Sequence, residues 1–433
     1  MSSNNFSSLG LTETIVRALR ARGYAAPTPI QQQAIPRLLA GDDLLGIAQT
    51  GTGKTAAFAL PVLQQLAEAR ERAEPRTPRA LVLAPTRELA IQIHDDFRDY
   101  GAGLRLRQTV ILGGVGQGPQ VAALAKRIDI VVATPGRLLD LFEQGHVRLD
   151  RIAFFVLDEA DRMLDMGFIH DVKRIIRELP RRRRSLLFSA TMPPEVARLA
   201  AEILHRPKRV EVTPAATTVD TVRQFVYSVK SADKPKLLRE LLEDSRLSRV
   251  LVFARTKHRA NRVAEHVSKL GVEADAIHGN KSQTARQRAL ERFRAGRSRV
   301  LVATDIAARG LDVDGISHVI NFELPHEPES YVHRIGRTAR AGASGTALSF
   351  CDPSEASQLR GIERLTGVAL KKVDGQPFLA ATAVDERAGN GRHGGSTIPV
   401  RIERSGGRAH RGGPPHRGRR RRGGKGTPAF QGS

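Results

Sequence analysis

Short runs of consecutive apolar residues recur in the first half of the chain and alternate with longer segments in which apolar residues have helical spacing. The runs predict strands at Ala80–Ala84, Ile130–Ala133, Phe154–Leu157 and Ser185–Phe188, and the segment Arg87–Tyr100 predicts a helix. Strands without a polar face that alternate with helices are typical of parallel strands joined by helical crossovers. The first half of the chain is therefore predicted to form an α/β domain.

The same alternation begins again near residue 222. It predicts strands at Arg249–Phe253, Arg299–Ala303 and His318–Phe322, and helices at Ala260–Leu270 and Gln283–Phe293. A chain of 433 residues is long enough for two or three domains. We therefore predict a second α/β domain.

Two segments lack the apolar residues that a packed domain needs. Thr213–Thr218 contains a proline and no large apolar residue, which indicates an exposed connector. From Ala383 onward the chain is rich in Gly and Arg and contains four consecutive arginines, Arg419–Arg422, a composition typical of disorder. The predicted organisation is a first domain at 1–212, a linker at 213–222, a second domain at 223–370 and a basic, disordered tail at 371–433.

The chain is strongly basic. It contains 69 Lys or Arg against 45 Asp or Glu, which gives a formal net charge of +24. Residues 381–433 contribute +9, from twelve basic and three acidic residues, and this leaves +15 for the remainder. Such an excess is more than solubility requires and favours a polyanionic partner, for which nucleic acid is the first candidate.

The sequence gives no sign of a membrane or secreted protein. No segment has the length and apolar character of a membrane span, and residues 1–10 lack the basic start and apolar core of a signal peptide. We therefore expect a cytoplasmic protein without a membrane partner. Cys351 is the one cysteine, so an internal disulfide is excluded, and no nearby Cys or His pattern indicates a metal site.

A glycine-rich turn and an acidic pair about 100 residues later predict a nucleoside-triphosphate site. The turn follows a predicted strand, Asp43–Ala48, and opens a helix, so its backbone N–H groups would face phosphate oxygens. Lys54 would bridge the outer phosphates, and Thr55 and Asp158 would hold Mg²⁺, Asp158 through water. Glu159 would then orient and deprotonate the attacking water. The residues of the predicted turn are Gln49, Thr50, Gly51, Thr52 and Gly53.

The acidic pair lies in the tetrad Asp158-Glu159-Ala160-Asp161, which spells the signature of the DEAD-box RNA helicases. With the motifs that precede and follow the tetrad, the chain resembles this family from residue 6 to about residue 350. The resemblance implies an α/β fold of two tandem RecA-like parallel-sheet domains that use ATP and Mg²⁺ and act on RNA. The compact core, short insertions and basic tail resemble the bacterial RhlE-like branch of the family.

The segment Gly23–Gln31 resembles the family's Q motif, with Phe6 as its upstream aromatic residue. The resemblance implies that Gln31 recognises the edge of adenine and that Tyr24 stacks on the adenine ring. A glutamine amide can donate and accept at once, which matches the adjacent acceptor and amine of adenine. ATP is therefore favoured over GTP.

A motif of the second domain, Tyr331–Arg340, resembles the family segment that carries arginine fingers. Arg337 and Arg340 lie three residues apart and can share a helix face, and with His333 they are the candidate catalytic residues of this motif. Arginine fingers neutralise charge that develops on the γ-phosphate. Because these arginines come from the other domain, hydrolysis should require the two domains to close. Asp305 stands where the family places an acid near the ribose.

Several motifs place small, hydroxyl or cationic residues just after a strand, at the sheet edge predicted for the triphosphate. By resemblance to the family, these residues bind the RNA backbone: Thr86, Arg87, Gly114, Thr134 and Arg137 in the first domain, and Thr256, Gly279 and Arg309 in the second. Gln283 and Arg286 occupy a corresponding position. Because backbone contacts carry no base information, we expect little sequence preference, and the 2′-hydroxyl would separate RNA from DNA.

The segment Ser189-Ala190-Thr191 matches the family motif that links hydrolysis to strand separation. Its two hydroxyls lie after a predicted strand of the first domain and are expected to hydrogen-bond Asp161. That bond would serve the local structure and the coupling at the same time.

Together the motifs predict an ATP-dependent RNA helicase that unwinds short duplexes or remodels RNA–protein complexes, by closing two domains on single-stranded RNA. Two alternatives stay open: an ATP-regulated RNA clamp or annealing factor, and a DNA translocase, which the adenine motif and the acidic tetrad disfavour. We expect a monomeric core. The sequence identifies neither the RNA substrate nor whether ribosome-assembly or RNA-decay proteins are partners.

Overall fold

The computed structural model describes residues 5–49, 51–212, 221–308, 313, 315–339 and 345–373. The connector Thr213–Thr218, the predicted tail beyond Val373 and three predicted site residues lie outside the described residues. These three site residues are Thr50, Arg309 and Arg340. Both sheets described below belong to one compact unit of the chain, Met1–Thr382.

The first lobe, residues 5–212, is built on a parallel sheet whose described strands number seven, in the order β3-β4-β2-β5-β6-β1-β7. The strands are β1 (Leu44–Ala48), β2 (Ala80–Leu83), β3 (Gln108–Ile111), β4 (Ile130–Ala133), β5 (Phe154–Leu157), β6 (Arg184–Ser189) and β7 (Lys208–Val212). A 3-10 helix covers Phe6–Leu9, and the α-helices are α1 (Glu13–Ala21), α2 (Pro29–Leu39), α3 (Lys54–Glu68), α4 (Arg87–Tyr100), α5 (Gly118–Leu124), α6 (Pro135–Glu143), α7 (Ala160–Asp165), α8 (Ile169–Arg177) and α9 (Pro194–Ile203).

The second lobe, residues 221–373, repeats this plan: its described strands also number seven, all parallel, in the order β10-β11-β9-β12-β13-β8-β14. The strands are β8 (Val222–Ser228), β9 (Val250–Phe253), β10 (Ala274–Ile277), β11 (Val300–Ala303), β12 (His318–Asn321), β13 (Gly345–Cys351) and β14 (Lys371–Lys372). Its α-helices are α10 (Lys234–Glu243), α11 (Lys257–Lys269), α12 (Gln283–Arg294), α13 (Asp305–Ala308), α14 (Pro328–Ile335) and α15 (Ala356–Thr366), and a 3-10 helix covers Pro353–Glu355.

The predicted α/β fold with two parallel sheets is confirmed, and every strand that the apolar pattern predicts lies within one residue of its observed bounds. The pattern does not single out the edge strands β3, β7, β10 and β14, because edge strands bury fewer of their side chains and carry polar residues. It also does not single out β8 and β13, whose sequences mix apolar residues with Thr, Ser or Gln.

The second sheet extends slightly into the segments predicted as linker and tail. β8 begins at Val222, and β14 at Lys371–Lys372 pairs with β8, which places Leu370 in a buried cluster. Two lysines on an exposed edge strand give no apolar signal, so the sequence alone ends this domain at residue 370.

Two hydrophobic clusters sandwich the first sheet. On β5, Val156 packs in the cluster that contains Phe58 and Phe97, whereas Phe155 and Leu157 pack in the opposite cluster. This alternation is what a strand buried on both faces requires. Within the described ranges, no helix combines the length and apolarity needed to cross a bilayer.

The parallel arrangement brings the predicted motifs to one edge of each sheet. In the first sheet, the nucleotide-binding turn follows β1, Thr86 follows β2, Thr134 follows β4, Asp158 follows β5 and Thr191 follows β6. In the second sheet, Thr256 follows β9, Gly279 follows β10 and Asp305 follows β11. The carboxyl ends of parallel strands are where such folds bind ligands.

Candidate nucleotide and RNA site

The turn between β1 and α3 is folded in a form suited to phosphate. Gly51 and Gly53 have φ of 86° and 90°, a left-handed backbone that favours glycine. A side chain at Gly53 would also collide with the amide of Gln31. The Thr52 hydroxyl donates to the carbonyl of Gln49 at 2.7 Å and closes the turn.

Lys54, the first residue of α3, is buried with its ammonium group unpaired. The side chain is 6% exposed, and its Nζ has no hydrogen-bond partner among the described residues. A buried ammonium without a partner is costly, so this position is suited to an anionic ligand. The outer phosphates of a nucleotide at the N-terminus of α3 would supply that anion.

Asp158 lies at the end of β5 and is 2% exposed. Burial raises the pKa of Asp158 to about 7, and the positive charge of Lys54 opposes this rise. Its Oδ1 accepts the backbone N–H of Glu159 at 3.0 Å. A divalent cation would stabilise the ionised carboxylate at neutral pH, so the site fits Mg²⁺.

The described residues contain no group of three or more His, Cys, Asp or Glu side chains arranged to hold a metal without other ligands. Asp158 and Thr55 would hold Mg²⁺ together with nucleotide oxygens and water, which is the usual arrangement for this ion. Thr55 is suited to this role, because it lies in the first turn of α3 and is only partly buried.

Glu159 is held in an unusual conformation at the start of α7. Its φ of 53° lies in the left-handed region, which is uncommon for a residue other than glycine. Its carboxylate forms an ion pair with Arg162. Burial alone would raise the pKa of Glu159, but the charges of Arg162, Lys54 and Arg337 together lower it. The group is therefore ionised at neutral pH, as a proton acceptor must be.

Gln31 contacts the nucleotide-binding turn directly. It is 1% exposed, its Nε2 donates to the carbonyl of Gly53 at 3.1 Å, and its Oε1 accepts the N–H of Thr28 at 2.9 Å. One amide hydrogen and one acceptor lone pair remain after these bonds, which is what recognition of an adenine edge needs.

The two aromatic residues assigned to adenine have other partners in this structure. Phe6 is 3% exposed and packs in the core of the first lobe. The Tyr24 hydroxyl lies 3.1 Å from the Tyr100 hydroxyl, and the rings meet edge to face with centroids 6.0 Å apart. The partly buried Tyr24 ring therefore ties the Q-motif segment to the end of α4, a contact that the sequence does not predict.

Arg337 of the second lobe acts electrostatically on Glu159 of the first lobe. It is 5% exposed, and its charge contributes to the lowered pKa of Glu159. Its Nε donates to the carbonyl of His333 at 3.2 Å, across one turn of chain at the end of α14. A cleft is lined by Arg162 from the first lobe and by Asp305, His333, Arg334 and Arg337 from the second. The structure thus places the predicted finger in a cleft together with Arg162, the ion-pair partner of the predicted base.

His333 lies on the solvent-exposed side of α14 in this cleft. Crowding by surrounding protein atoms and the charges of Arg162 and Arg337 lower its pKa, against the opposing effect of Asp161 and Asp165. The imidazole is therefore neutral at pH 7 and can donate or accept a hydrogen bond there.

Arg334 is a residue that the sequence reasoning did not identify. It is 1% exposed, and its Nη2 donates to Asp305 Oδ2 at 2.7 Å while Nε binds the other oxygen. Its Nη1 donates to the carbonyl of Glu323 at 2.7 Å, and its guanidinium lies 5.0 Å from the centre of the Phe253 ring. Arg334 thus fixes α14 to the start of α13 at Asp305. The sequence offers one signal for Arg334, its position within the motif Tyr331–Arg340 that carries the predicted arginine fingers.

The first-lobe RNA candidates lie on loops that follow neighbouring strands of the sheet. Thr86 caps α4, where its hydroxyl accepts the N–H of Leu89 at 3.3 Å, and the Arg87 guanidinium packs against Gly114, whose φ is 74°. Thr134 precedes α6, and Arg137 donates to the carbonyl of Val115 at 3.2 Å. These contacts gather Arg87 and Arg137 around the loop that follows β3.

The second-lobe candidates have the same local design. Thr256 caps α11 by accepting the N–H of Arg259 at 3.2 Å. Gly279 is exposed, and a side chain there would meet open space. Gln283 and Arg286, in contrast, direct their side chains at Glu88 of the first lobe. Both side chains thus bind a carboxylate of the other lobe, a contact that the sequence does not predict, and their placement among RNA contacts stays a prediction.

The predicted link between the acidic tetrad and the segment after β6 is present. The Thr191 hydroxyl donates to Asp161 Oδ2 at 2.9 Å, and the Thr191 N–H donates to the same oxygen at 2.8 Å. The Ser189 hydroxyl accepts the backbone N–H of Asp161 at 3.2 Å instead of bonding its carboxylate. Both hydroxyls thus contact Asp161, as expected, but with different partner atoms.

Comparisons with known proteins agree with this geometry. The family model for DEAD/DEAH box helicases matches residues 28–199, and that for the helicase conserved C-terminal domain matches residues 233–342. The chain is 44% identical over 361 residues to the DEAD-box ATP-dependent RNA helicase CshA of Geobacillus kaustophilus, a match that covers 83% of this chain and 76% of that relative. CshA of Bacillus subtilis is 44% identical over 363 residues, covering 83% and 72%.

A solved structure of similar fold is S. cerevisiae Dbp5 bound to RNA and ADP BeF3. It matches with a TM-score of 0.75 at 32% identity, over 86% of this chain and 96% of the Dbp5 chain. The two parallel sheets are therefore RecA-like lobes, and the matched family models span both. The chain belongs to the DEAD-box family of ATP-dependent RNA helicases.

Proposed function

We propose that ATP and RNA jointly close the two lobes of this RNA helicase, and that closure both completes the ATPase site and separates a short duplex locally. The observation that carries this proposal is the position of Arg337, a residue of the second lobe that lines one cleft with Arg162 of the first lobe and whose charge acts on Glu159. An active site divided between two lobes operates only when the lobes meet.

Each charged residue of the site has a distinct task in this proposal. Lys54 binds the outer phosphates, Glu159 accepts a proton from the attacking water, and Arg337 stabilises charge on the γ-phosphate. Thr55 and Asp158 hold Mg²⁺. This ion, when bound, neutralises charge on the phosphate oxygens.

The remaining nucleotide contacts position ATP. Gln31 recognises adenine through its unused donor and acceptor, and Asp305 faces the ribose from the second lobe. Thr50 and Arg340 stay predictions from sequence, because they lie outside the described residues. The catalytic role of His333 also stays a prediction.

RNA binds across the carboxyl edges of the two sheets in this proposal. Arg87, Arg137 and the N-termini of α4, α6 and α11 supply cationic and N–H groups for phosphates. Arg309 stays a prediction from sequence. Sequence preference is expected to be low, because the contacts go to the backbone.

The proposal is tested by measuring ATP hydrolysis with no nucleic acid, with single-stranded RNA and with DNA of the same length. RNA is expected to accelerate hydrolysis more than DNA does, and a short RNA duplex should separate only when ATP is present. Duplex formation without ATP, with no ATP-dependent separation, would favour an annealing factor. Equal rates with and without RNA would contradict the proposal.

Replacing Thr191 with Val is expected to impair duplex separation more than ATP hydrolysis. The variant loses the hydroxyl bond to Asp161 but keeps the backbone N–H bonds to the same oxygen. A hydrogen bond to a carboxylate contributes about 1.5–3 kcal/mol, so an unwinding defect of about 10- to 150-fold is expected. Thr366→Val, which removes a hydroxyl bond at the end of α15, is the matched control. An equal loss of both activities would argue against a coupling role.

Deleting residues 383–433 is expected to reduce the dependence of RNA affinity on salt. The deleted segment has twelve Lys or Arg and three acids and a single aromatic residue, Phe430, so its RNA contacts must be mainly electrostatic. The measurement is RNA affinity for residues 1–382 and for the full chain between about 50 and 200 mM salt. An identical slope for both proteins would show that the tail does not bind RNA.

Finer assignments rest on sequence alone. The compact core, short insertions and basic tail resemble the RhlE-like branch, whereas the relatives described above are named CshA. The branch therefore stays a prediction. The same holds for a cytoplasmic location, a monomeric core and partners among ribosome-assembly or RNA-decay proteins.

A further inference from the structure

The amino edge of the first sheet, opposite the nucleotide and RNA motifs, carries a dense group of cationic side chains. The chain that leads from α8 into β6 contains four consecutive arginines, Arg181–Arg184, and the start of β7 contributes Arg206 and Lys208. We call these six residues the amino-edge cluster. All of them are exposed except Arg183, which is partly buried. The strand β6, six residues long, separates the cluster from the sheet edge that holds the predicted nucleotide and RNA contacts.

Asp43, the residue before β1, holds the two parts of the cluster together. Its Oδ1 accepts the backbone N–H of Ser185 at 2.9 Å, and its Oδ2 accepts that of His205 at 2.7 Å. Its carbonyl oxygen accepts the N–H of Lys208 at 2.8 Å. Asp43 is 8% exposed, so its carboxylate is committed to these backbone groups. The arginines and the start of β7 therefore lie on either side of Asp43, because β1 pairs with both β6 and β7.

Arg183 and Arg184 anchor the run of arginines to the folded lobe. The Arg183 guanidinium lies 5.8 Å from the centre of the Phe155 ring, and its Nη1 donates to the carbonyl of Pro180 at 2.7 Å. The Arg184 guanidinium packs against Gly41, where φ is 91° and a side chain would collide with it. The cluster is therefore presented on a loop whose shape is fixed by packing.

The positive charge of the cluster is not balanced by ion pairs. None of its six residues forms an ion pair with another described residue, whereas exposed arginines elsewhere in this lobe, such as Arg20 and Arg198, pair with glutamates. Residues 41–43, 180–184 and 205–208 together contain six Lys or Arg and two Asp, a net charge of +4. Guanidinium groups gathered in this way favour a ligand with several closely spaced negative charges.

An RNA backbone supplies negative charges at this spacing. A strand rises about 3.3 Å per residue, so β6 places the cluster about 20 Å from the carboxyl edge of the sheet. A nucleic-acid strand in a helix carries one phosphate about every 3.4 Å, so an RNA at the carboxyl edge must continue for about six nucleotides or more to reach the cluster. RNA is favoured over an acidic protein as the ligand, because this helicase already acts on RNA.

We propose that the amino-edge cluster is a second RNA-binding surface, which holds the phosphate backbone of RNA that extends beyond the contacts at the carboxyl edges. The exposed members of the cluster bind phosphates, while Asp43 and Arg183 position them. The surface takes no part in ATP hydrolysis. It raises the affinity for long RNAs over short ones, because two linked contacts bind the same molecule. The inference goes beyond the proposed function and rests on it only to identify the polyanion as RNA.

The test compares the full-length protein with a triple variant, Arg181→Gln, Arg182→Gln and Lys208→Gln, which changes only exposed side chains. The RNAs are a single strand of about eight nucleotides and the same strand extended by about twelve, at the 5′ or the 3′ end in turn, which is twice the reach that the cluster requires. For the long RNAs, the slope of log affinity against log salt should become shallower by about 2 to 3, since each phosphate contact contributes about 0.7 to 0.9. Binding of the short RNA, and its stimulation of ATP hydrolysis, should stay unchanged.

The matched control is Arg20→Gln, Arg98→Gln and Arg198→Gln, which removes three exposed positive charges of the first lobe that have acidic partners. The control should bind the long RNAs with the slope of the unmodified protein. Thermal unfolding of both triple variants should match that of the unmodified protein, because all six side chains are exposed. Equal slopes for the cluster variant and the control would overturn the proposal.

Crosslinking and a second polyanion locate the contact and identify the ligand class. A photoreactive uridine at the far end of the extension should crosslink to residues 181–184 or 205–208 in the unmodified protein and less in the cluster variant. Crosslinks confined to other segments would contradict the proposal. If the cluster variant loses binding of polyglutamate but binds the long RNAs normally, the surface serves acidic proteins and the proposal is wrong. If the short RNA fails to stimulate hydrolysis by the unmodified protein, the proposed function itself is wrong, whatever the cluster binds.

Discussion

Replacement of Glu159 by Gln should slow ATP hydrolysis by about two to four orders of magnitude while ATP and RNA still bind, since this is the usual contribution of a general base. Glutamine preserves the shape of the side chain but cannot accept the proton of the attacking water. The positive charges of Arg162, Lys54 and Arg337 keep Glu159 ionised in the unmodified protein. Glutamine and glutamate have the same backbone requirements. The left-handed backbone at Glu159 is therefore no less favourable for glutamine than for glutamate.

Single-turnover hydrolysis and equilibrium binding of ATP and RNA measure this effect. Glu178→Gln, which removes an exposed carboxylate next to α8, is the matched control and should hydrolyse ATP at the unmodified rate. If Glu159→Gln turns over ATP as fast as the unmodified protein, another group accepts the proton. If it fails to bind ATP, the residue has a binding role that the structure does not suggest.

Replacement of Arg337 by Ala should lower the rate of the chemical step by about 10³- to 10⁵-fold, as loss of an arginine finger does in other phosphoryl-transfer enzymes. The charge of Arg337 acts on Glu159 of the first lobe in this structure. Its loss should therefore affect the transition state far more than the affinity for RNA. Arg337→Lys should recover only part of the rate, because an ammonium cannot reproduce the planar fork of a guanidinium.

The control for this prediction must separate a catalytic defect from a folding defect. Arg337 Nε donates to the carbonyl of His333, so thermal unfolding of the variant should be measured alongside its kinetics. Arg360→Ala, an exposed change on α15 of the same lobe, should leave hydrolysis unchanged. A rate for Arg337→Ala close to that of Arg360→Ala would remove Arg337 from the reaction.

Much of the architecture can be predicted from the chain, because the central strands are apolar on both faces and the motifs follow them directly. The spacing from the turn at Gly53 to Asp158 predicts one shared triphosphate site, and parallel pairing of β1, β6 and β5 puts both at one edge. The link from Thr191 to Asp161 could be predicted for the same reason. Edge strands such as β3 could not, because their partly exposed residues give a weak apolar pattern.

Local patterns in the amino-acid sequence thus account for the two parallel sheets, the phosphate-binding turn and the residue types of the site. They do not account for contacts between side chains that are distant in the chain. Glu88 meets Arg286 across 198 positions, Tyr24 meets Tyr100, and Arg334 meets Asp305, and each pair depends on how the finished elements pack. Burial and partner choice are properties of the packed lobes, so the assignment of Gln283 and Arg286 to the contact with Glu88 required three-dimensional coordinates.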